Sequence, residues 1–333
     1  MPVTLAQAKL NVTDDVDIQI IDEFQKSNDI MNRLTFDDVV SPAGGGATLT
    51  YSYTRQLTQR GAAFRAINSE YTPAEATKVR ASVDLKPLGG SFQIDRVLDG
   101  VGQARETAFQ MRELLKATSA QFSDSVFNGD TAVDANGFDG LAKILTGTTT
   151  EYLPLANGTS TGYRDWTTVD TKAEAIAEIE QIDAWLSLLD ERPDAIYGPK
   201  KVLSMFKRLA IWADQYEKTQ DAFGRTVNAY NGIPLIDPGT KSGSNTDVLA
   251  LAARDADAGG AGGSITGLGD LYAVRFGLDG FHAVSTPGQL VRNWLPDFTT
   301  SGAVKTGEAE LGPAAVVLKK TKAAGVFRNI KVS

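Results

Sequence analysis

The sequence has no cysteine, which excludes disulfides and thiolate chemistry. It has a single histidine, His282, which excludes His-rich metal sites and most of the usual acid–base repertoire. No apolar run approaches the roughly 20 residues a membrane span needs, so no membrane partner is expected. The opening MPVTLAQAKLNVTDD lacks a basic end followed by an apolar block; no secretion signal is read there, and a cytosol-like compartment is expected. Basic charge is also in deficit. With 33 Lys and Arg against 41 Asp and Glu, the net charge of -8 opposes unaided gripping of a nucleic-acid backbone. It does not exclude a protein that encloses nucleic acid. What remains is a core-forming composition, 42% hydrophobic and 22% charged over 333 residues, enough for two domains or one large elaborated one.

Motifs for chemistry are missing as well. AGGAGGSITGLG has no Lys after its glycines and does not link a strand to a long helix, so it reads as a solvent loop. Asp130, Asp134 and Asp139 lack calcium-loop spacing and read as turn formers. His282 lies in GLDGFHAVS near Asp279, but no G-x-S-x-G elbow is expected to complete a triad, and a structural role is favoured. No catalytic, cofactor-binding or metal residue is assigned. Spacing cannot reveal a glycosidase-type pair among 41 acidic residues, so an acidic hydrolase using an Asp/Glu pair stays open as the alternative from another class.

The dominant positive signal is LDGVGQARETAFQMRELLKATSAQFSDSVFNGD. Ala104, Ala108, Met111, Leu115, Thr118, Phe122 and Val126 recur at three- and four-residue steps, predicting one long helix over 98–129. From Gly102 to Asn128 it would run roughly 40 Å. Gly129 is expected to end it in the left-handed conformation. Upstream, Thr13 with Asp14, Asp15 and Asp17 starts a short amphipathic helix carrying Ile20, Phe24, Met31 and Leu34. Gly44, Gly45 and Gly46 break the chain. Leu49, Tyr51, Tyr53 and Arg55 then alternate as a strand, as do Val79, Ala81, Val83 and Leu85. Between them lies a tip with Arg60, Phe64, Arg65 and Tyr71. Gly89 and Gly90 read as a second break, so the arm is expected to swing on glycine hinges at both roots. A lone hairpin is marginally stable in water, so its second layer comes either from its own domain or from another subunit; the two weigh equally here. Further along, helices are predicted over 171–189 and from Pro199. Strands are predicted at 193–198, 228–236, 248–252 and 269–277, with a loop over 255–269, so that 171–290 reads as an α/β unit around a central sheet; 290–333 adds strand-like runs at 314–319 and 326–332.

Taken in order, these pieces resemble the major capsid proteins of tailed bacteriophages, the Hong Kong 97-type fold shared with encapsulins. The most specific stretch is the helix ending in Phe127-Asn128-Gly129-Asp130 with Gly137-Phe138-Asp139-Gly140-Leu141 after it; Tyr230-Asn231-Gly232-Ile233-Pro234-Leu235 adds to it. The resemblance implies an α+β fold with an N-arm (1–45), an extended hairpin loop (46–90), a peripheral domain (91–140 and 291–333, spine helix 98–129) and an axial domain (141–290). It implies a non-enzymatic virion shell protein, built in the host bacterial cytoplasm from pentamers and hexamers. The shell, icosahedral or prolate, would enclose double-stranded DNA without sequence-specific contact. Portal, separate scaffolding and decoration proteins would be partners; no cofactor is implied. No long coiled coil precedes the arm, so a fused scaffold is not expected. Lys78 and Lys86 match no cross-linking motif, so no covalent mesh is expected. An encapsulin nanocompartment is the alternative within the same fold. Inter-subunit contacts are expected at Leu49, Tyr51, Tyr53, Phe64, Arg65, Tyr71, Val79, Val83 and Leu85 of the hairpin and at Ile20 and Phe24 of the arm.

Overall fold

A computed structural model describes residues 29–38, 49–101, 105–156, 160–220, 226–256, 263–287 and 290–333. Ile20 and Phe24 of the expected arm helix, and the glycines at 44–46, lie outside the described residues. The described residues begin with helix α1 (Asp29–Arg33), strand β1 (Phe36–Asp37) and the hairpin strands β2 (Thr50–Gln56) and β3 (Lys78–Asp84). Strand β4 (Lys86–Asp95), helix α2 (Arg96–Val101) and helix α3 (Arg105–Asn128) follow. Helix α4 (Leu141–Ile144), strands β5 (Glu151–Tyr152), β6 (Leu155–Ala156), β7 (Ser160–Thr161) and β8 (Arg164–Asp165) and helix α5 (Lys172–Leu186) come next. Then come β9 (Ala195–Tyr197), helix α6 (Lys200–Trp212), β10 (Glu217–Gln220), β11 (Thr226–Tyr230), β12 (Ile233–Ile236) and β13 (Ala252–Asp255). The chain closes with β14 (Ser264–Val274), β15 (Phe281–Ser285), β16 (Val291–Trp294), β17 (Val304–Leu318) and β18 (Ala324–Lys331). None of the described helices is long and apolar enough to cross a membrane.

Among the described residues two sheets dominate. In one, the order is β1-β15-β17-β16, with β4 along the other side of β17. The other runs β10-β11-β12-β9-β14-β18-β5, with β13 on β14 and β8 on β18. Helices α5 and α6 pack on the second sheet through Ile179, Ile182, Trp185, Val202, Phe206 and Leu209, all buried. Their starts follow local chemistry. Thr171 and Glu174 form a reciprocal capping box on α5, and Pro199 precedes α6 as an N-cap in an extended conformation. Strands β11 and β12 turn at Asn231 (φ 49°) and Gly232 (φ 70°), the two positive angles a tight hairpin requires.

The long helix is the spine that its periodicity predicts, with α2 ahead of it and residues 102–104 outside the described set. At 24 residues, α3 is about 36 Å long. Met111, Phe122 and Val126 are buried as expected, whereas Ala108 is exposed. The last turns sink between both sheets. Phe127 lies 5.2 Å from Tyr197 and 5.7 Å from Tyr272 on one side, while Phe122 lies 6.0 Å from Phe36 near the other.

Several expectations are corrected. Gly129 does not adopt a positive φ. A Cβ there would fall 2.3 Å from the Phe138 carbonyl oxygen, so this glycine serves a close backbone crossing. Gly89 and Gly90 are not a break: they sit inside β4, paired with Glu310 and Ala309 of β17. A Cβ on Gly89 would lie 2.4 Å from Ala309 O, and one on Gly90 2.8 Å from the spine residue Leu114. Glycine permits that closeness as well as hinging, and only the partner across the gap separates the two uses. Val248 and Leu249 are buried but form no strand; Asn128 at the end of the spine donates to Val248 O at 2.7 Å. The loop expected over 255–269 holds the start of β14, and that strand ends at Val274, short of Gly277. The domain division at 290/291 does not separate the sheets: β15 joins β17, and β18 pairs with β14.

Candidate assembly surface

The hairpin has a root held by its own chain and a tip that is not. Strands β2 and β3 pair antiparallel, Tyr51 opposite Val83 and Arg55 opposite Val79. Alternation turns Tyr51, Tyr53 and Arg55 toward the body. Tyr53 Oη donates to Leu318 O at 3.1 Å. Arg55 donates to Lys319 O at 3.0 Å, Leu318 O at 2.7 Å and Thr321 Oγ1 at 3.2 Å. The Lys319 ammonium lies 5.5 Å over the Tyr51 ring, and that ring meets His282 edge-on at 6.2 Å. Val83 packs on the same core and Leu85 is buried in it.

Tyr51, Tyr53, Val83 and Leu85, expected to touch a neighbouring subunit, are therefore used on the chain's own body. Alternation identifies an apolar face but not whose core it enters. Arg55→Ala removes four hydrogen bonds from a charged donor, three to the body and one to Tyr53 Oη, and is expected to cost about 2 kcal/mol of local stability. Hydrogen exchange should show faster opening of β2 and β3, with little change in α5 and α6.

Past Gln56 the root contacts stop. Every residue from 57 to 77 is exposed. Leu57 N donates to Thr77 O at 2.8 Å, and the Thr58 and Thr77 hydroxyls pair at 2.8 Å, closing the base of the tip. A turn at Ala66 to Ser69 uses Asn68 at φ 67°. The Arg65 guanidinium donates to Ala66 O and Ser69 O, each at 3.2 Å, and lies 5.3 Å over the Tyr71 ring. The tip thus holds a defined shape while presenting Leu57 (68% exposed), Phe64 (107%), Ile67 (91%) and Tyr71 (64%) to solvent. Four large apolar side chains are thus exposed together on one short projection. Leu57 and Ile67 were not singled out by sequence reasoning, although apolar residues inside a polar, turn-rich tip were a readable signal. Leu49 and Val79 are exposed beside the root. At the outer end of the first sheet, Val97, Trp294, Leu295 and Val304 are exposed too, and no sequence pattern marked them.

Candidate chemistry resolves into structure. Asp130, Asp134 and Asp139 accept turn hydrogen bonds from Ala132 N, Asn136 N and Thr131 N. The backbone amide of Ala132, then Lys143, holds the Asp130 carboxyl below its usual range. Buried Asp270 accepts from Arg254 at 2.6 Å and from Asn329 N at 3.0 Å; Glu178 takes both Arg164 and the Trp166 indole. The string Gly158-Thr159-Ser160-Thr161-Gly162 does carry the letters G-x-S-x-G, contrary to expectation. Its Ser160 opens β7, which pairs antiparallel with β6, and β8 rather than a helix comes next, so it is no elbow. Asp279 binds Arg275 rather than His282.

No family model matches the chain, and no curated protein matches it in sequence. Solved structures do match it in fold over essentially its whole length. The SrpI encapsulin of Synechococcus elongatus is similar with a TM-score of 0.57 at 13% identity, covering 100% of this chain and 98% of that one. A chain from Mycobacterium phage Bobi gives 0.56 at 12% identity, covering 100% of both. The capsid of Myoviridae phage XM1 gives 0.55 at 10% identity, covering 98% of this chain and 99% of that one. The chain has the α+β Hong Kong 97-type fold that these structures share.

Proposed function

We propose that this chain is a shell-forming structural protein, the major capsid protein of a tailed bacteriophage, with no catalytic role. The observation that carries the reading is the tip over 57–77: it holds its shape yet buries none of Leu57, Phe64, Ile67 or Tyr71 on its own chain. Cover must then come from another molecule, and in a self-assembling shell that molecule is another copy. Leu49, Phe64, Arg65, Tyr71 and Val79 are the hairpin contacts retained in this proposal, with Ile20 and Phe24 of the arm. Copies meeting head to tail close into rings of five and six only where each rotation fits, and rings build the closed head. The net charge of -8 suits a wall that encloses DNA without adhering to it. Portal, separate scaffolding and decoration proteins are the further partners proposed. The encapsulin likeness supports a second reading, a nanocompartment shell holding protein cargo.

Sedimentation and electron microscopy of the protein expressed alone are expected to show rings or closed megadalton particles. A monodisperse monomer under all conditions would sink both shell readings. Double-stranded DNA inside particles purified from the native source supports the phage head; cargo protein without DNA supports the nanocompartment.

A further inference from the structure

His282 is the chain's one histidine, and neither the shell reading nor any catalytic reading uses it. It sits in β15 opposite Val317 of β17, wholly buried beneath the hairpin root. Neither Nδ1 nor Nε2 makes a hydrogen bond of good geometry, although the Gly280 backbone lies near enough to favour the charged ring. A buried polar group in that state costs free energy, because it has given up water for nothing. Its cover is Tyr51, whose ring stands edge-on to the imidazole and carries the Lys319 ammonium nearby. The root that supplies Tyr51 is fastened by Tyr53 and Arg55 to Leu318 and Lys319 at the end of β17.

We propose that His282 is an acid-sensitive latch beneath the hairpin root, and that uptake of one proton by its imidazole releases Tyr51 and the β2–β3 pair from the body. In the latched state an imidazolium would be buried close to the Lys319 cation, with only the Gly280 backbone carbonyl to accept from it. Once the root lifts, the same ring is hydrated and takes the proton freely. The charged groups facing it are Lys319 after β17, Asp37 on β1 and Asp279 in the turn before β15; Tyr51 comes from β2. Burial, then Lys319, holds the latched imidazole below its ordinary range and outweighs the Asp37 and Asp279 carboxylates and the Gly280 backbone carbonyl. Asp279 is already committed to Arg275, which keeps its own carboxyl low.

The sign follows from the depressed value in the latched state. Latching is at full strength above the hydrated imidazole's range, near pH 6.5. It weakens as pH falls below that, by up to about tenfold per pH unit for one proton. The loss stops where the latched state can itself be protonated. This inference concerns the hairpin alone and is read from hairpin protection, so it stands or falls separately from the shell reading.

The test is hydrogen exchange at the β2 and β3 amides, wild type against His282→Phe at matched pH, so that intrinsic exchange chemistry cancels. The wild-type to variant ratio is expected to rise about tenfold per unit as pH falls below ~6.5. A ratio that does not change with pH overturns the latch. Lys319→Gln keeps the histidine and removes the cation, so its acid sensitivity should level off at a higher pH than in wild type. If His282→Phe does not fold, a Lys319→Gln profile identical to wild type is the overturning result.

Discussion

Replacing residues 57–77 with a two-residue Asn-Gly turn is expected to yield a folded subunit that no longer builds shells. Gln56 and Lys78 are directly paired at the ends of β2 and β3, so a tight turn closes them without changing the strands' register. No buried residue is removed, because the whole segment is exposed. Thermal unfolding should therefore change little. Assembly should change completely. The excised segment carries Leu57, Phe64, Ile67 and Tyr71, each worth roughly 1.5–3 kcal/mol when buried against a partner. A contact repeated around every ring loses that amount at each repeat. Normal particles built from the shortened chain would remove the basis of the proposed function. Cutting more widely, over 47–86, would be a poorer experiment. It takes out Tyr51, Tyr53, Arg55 and Leu85, whose packing and hydrogen bonds belong to the subunit's own core.

The second large effect is expected from Gly129→Ala or Gly140→Ala. These glycines cross back to back at the end of the spine, with Gly140 N donating to Gly129 O at 2.9 Å. A Cβ on Gly129 would stand 2.3 Å from Phe138 O and 2.6 Å from Ser125 O; one on Gly140 would stand 2.5 Å from Ser125 O and 2.8 Å from Gly129 N. All four are backbone atoms, so no side chain can swing aside. Either substitution must lever the 130–140 turn away from the helix, next to buried Phe127, Phe138 and Leu141. A loss of about 3 kcal/mol is expected, the upper part of the range for overpacking. Urea unfolding or the soluble yield would report it. Gly137→Ala is the control: its nearest atom would be Asp134 O at 3.5 Å, an ordinary contact, and a change within ~0.5 kcal/mol is expected. Wild-type stability in both Gly129→Ala and Gly140→Ala would show that the crossing is not tightly packed.

Both predictions touch stretches whose importance was legible before their role was. FNGDTAVDANGFDGL was recognisable as the strongest stretch of the chain, yet the reason assigned to Gly129 was a left-handed helix cap that the structure does not contain. The alternation of Tyr51, Tyr53 and Val83 was legible, as was the existence of the hairpin. The hairpin's allegiance was not. Its root belongs to its own core and only its tip is free. At Gly89 and Gly90 a pair of glycines read as a hinge proved to be a paired strand pressed against β17 and the spine.

The amino-acid order by itself determined the helices α3, α5 and α6, the hairpin, and the lack of any thiol or histidine-rich chemistry. Each of these is a local property: a period of 3.6 or 2, a capping pair, a residue type that is simply missing. Only the tertiary structure decided which sheet β15 and β18 enter, which apolar face the subunit covers for itself, and whether a glycine bends the chain or lets two backbones touch. Those outcomes depend on atoms far away along the chain, and a side chain's identity does not say what will stand opposite it.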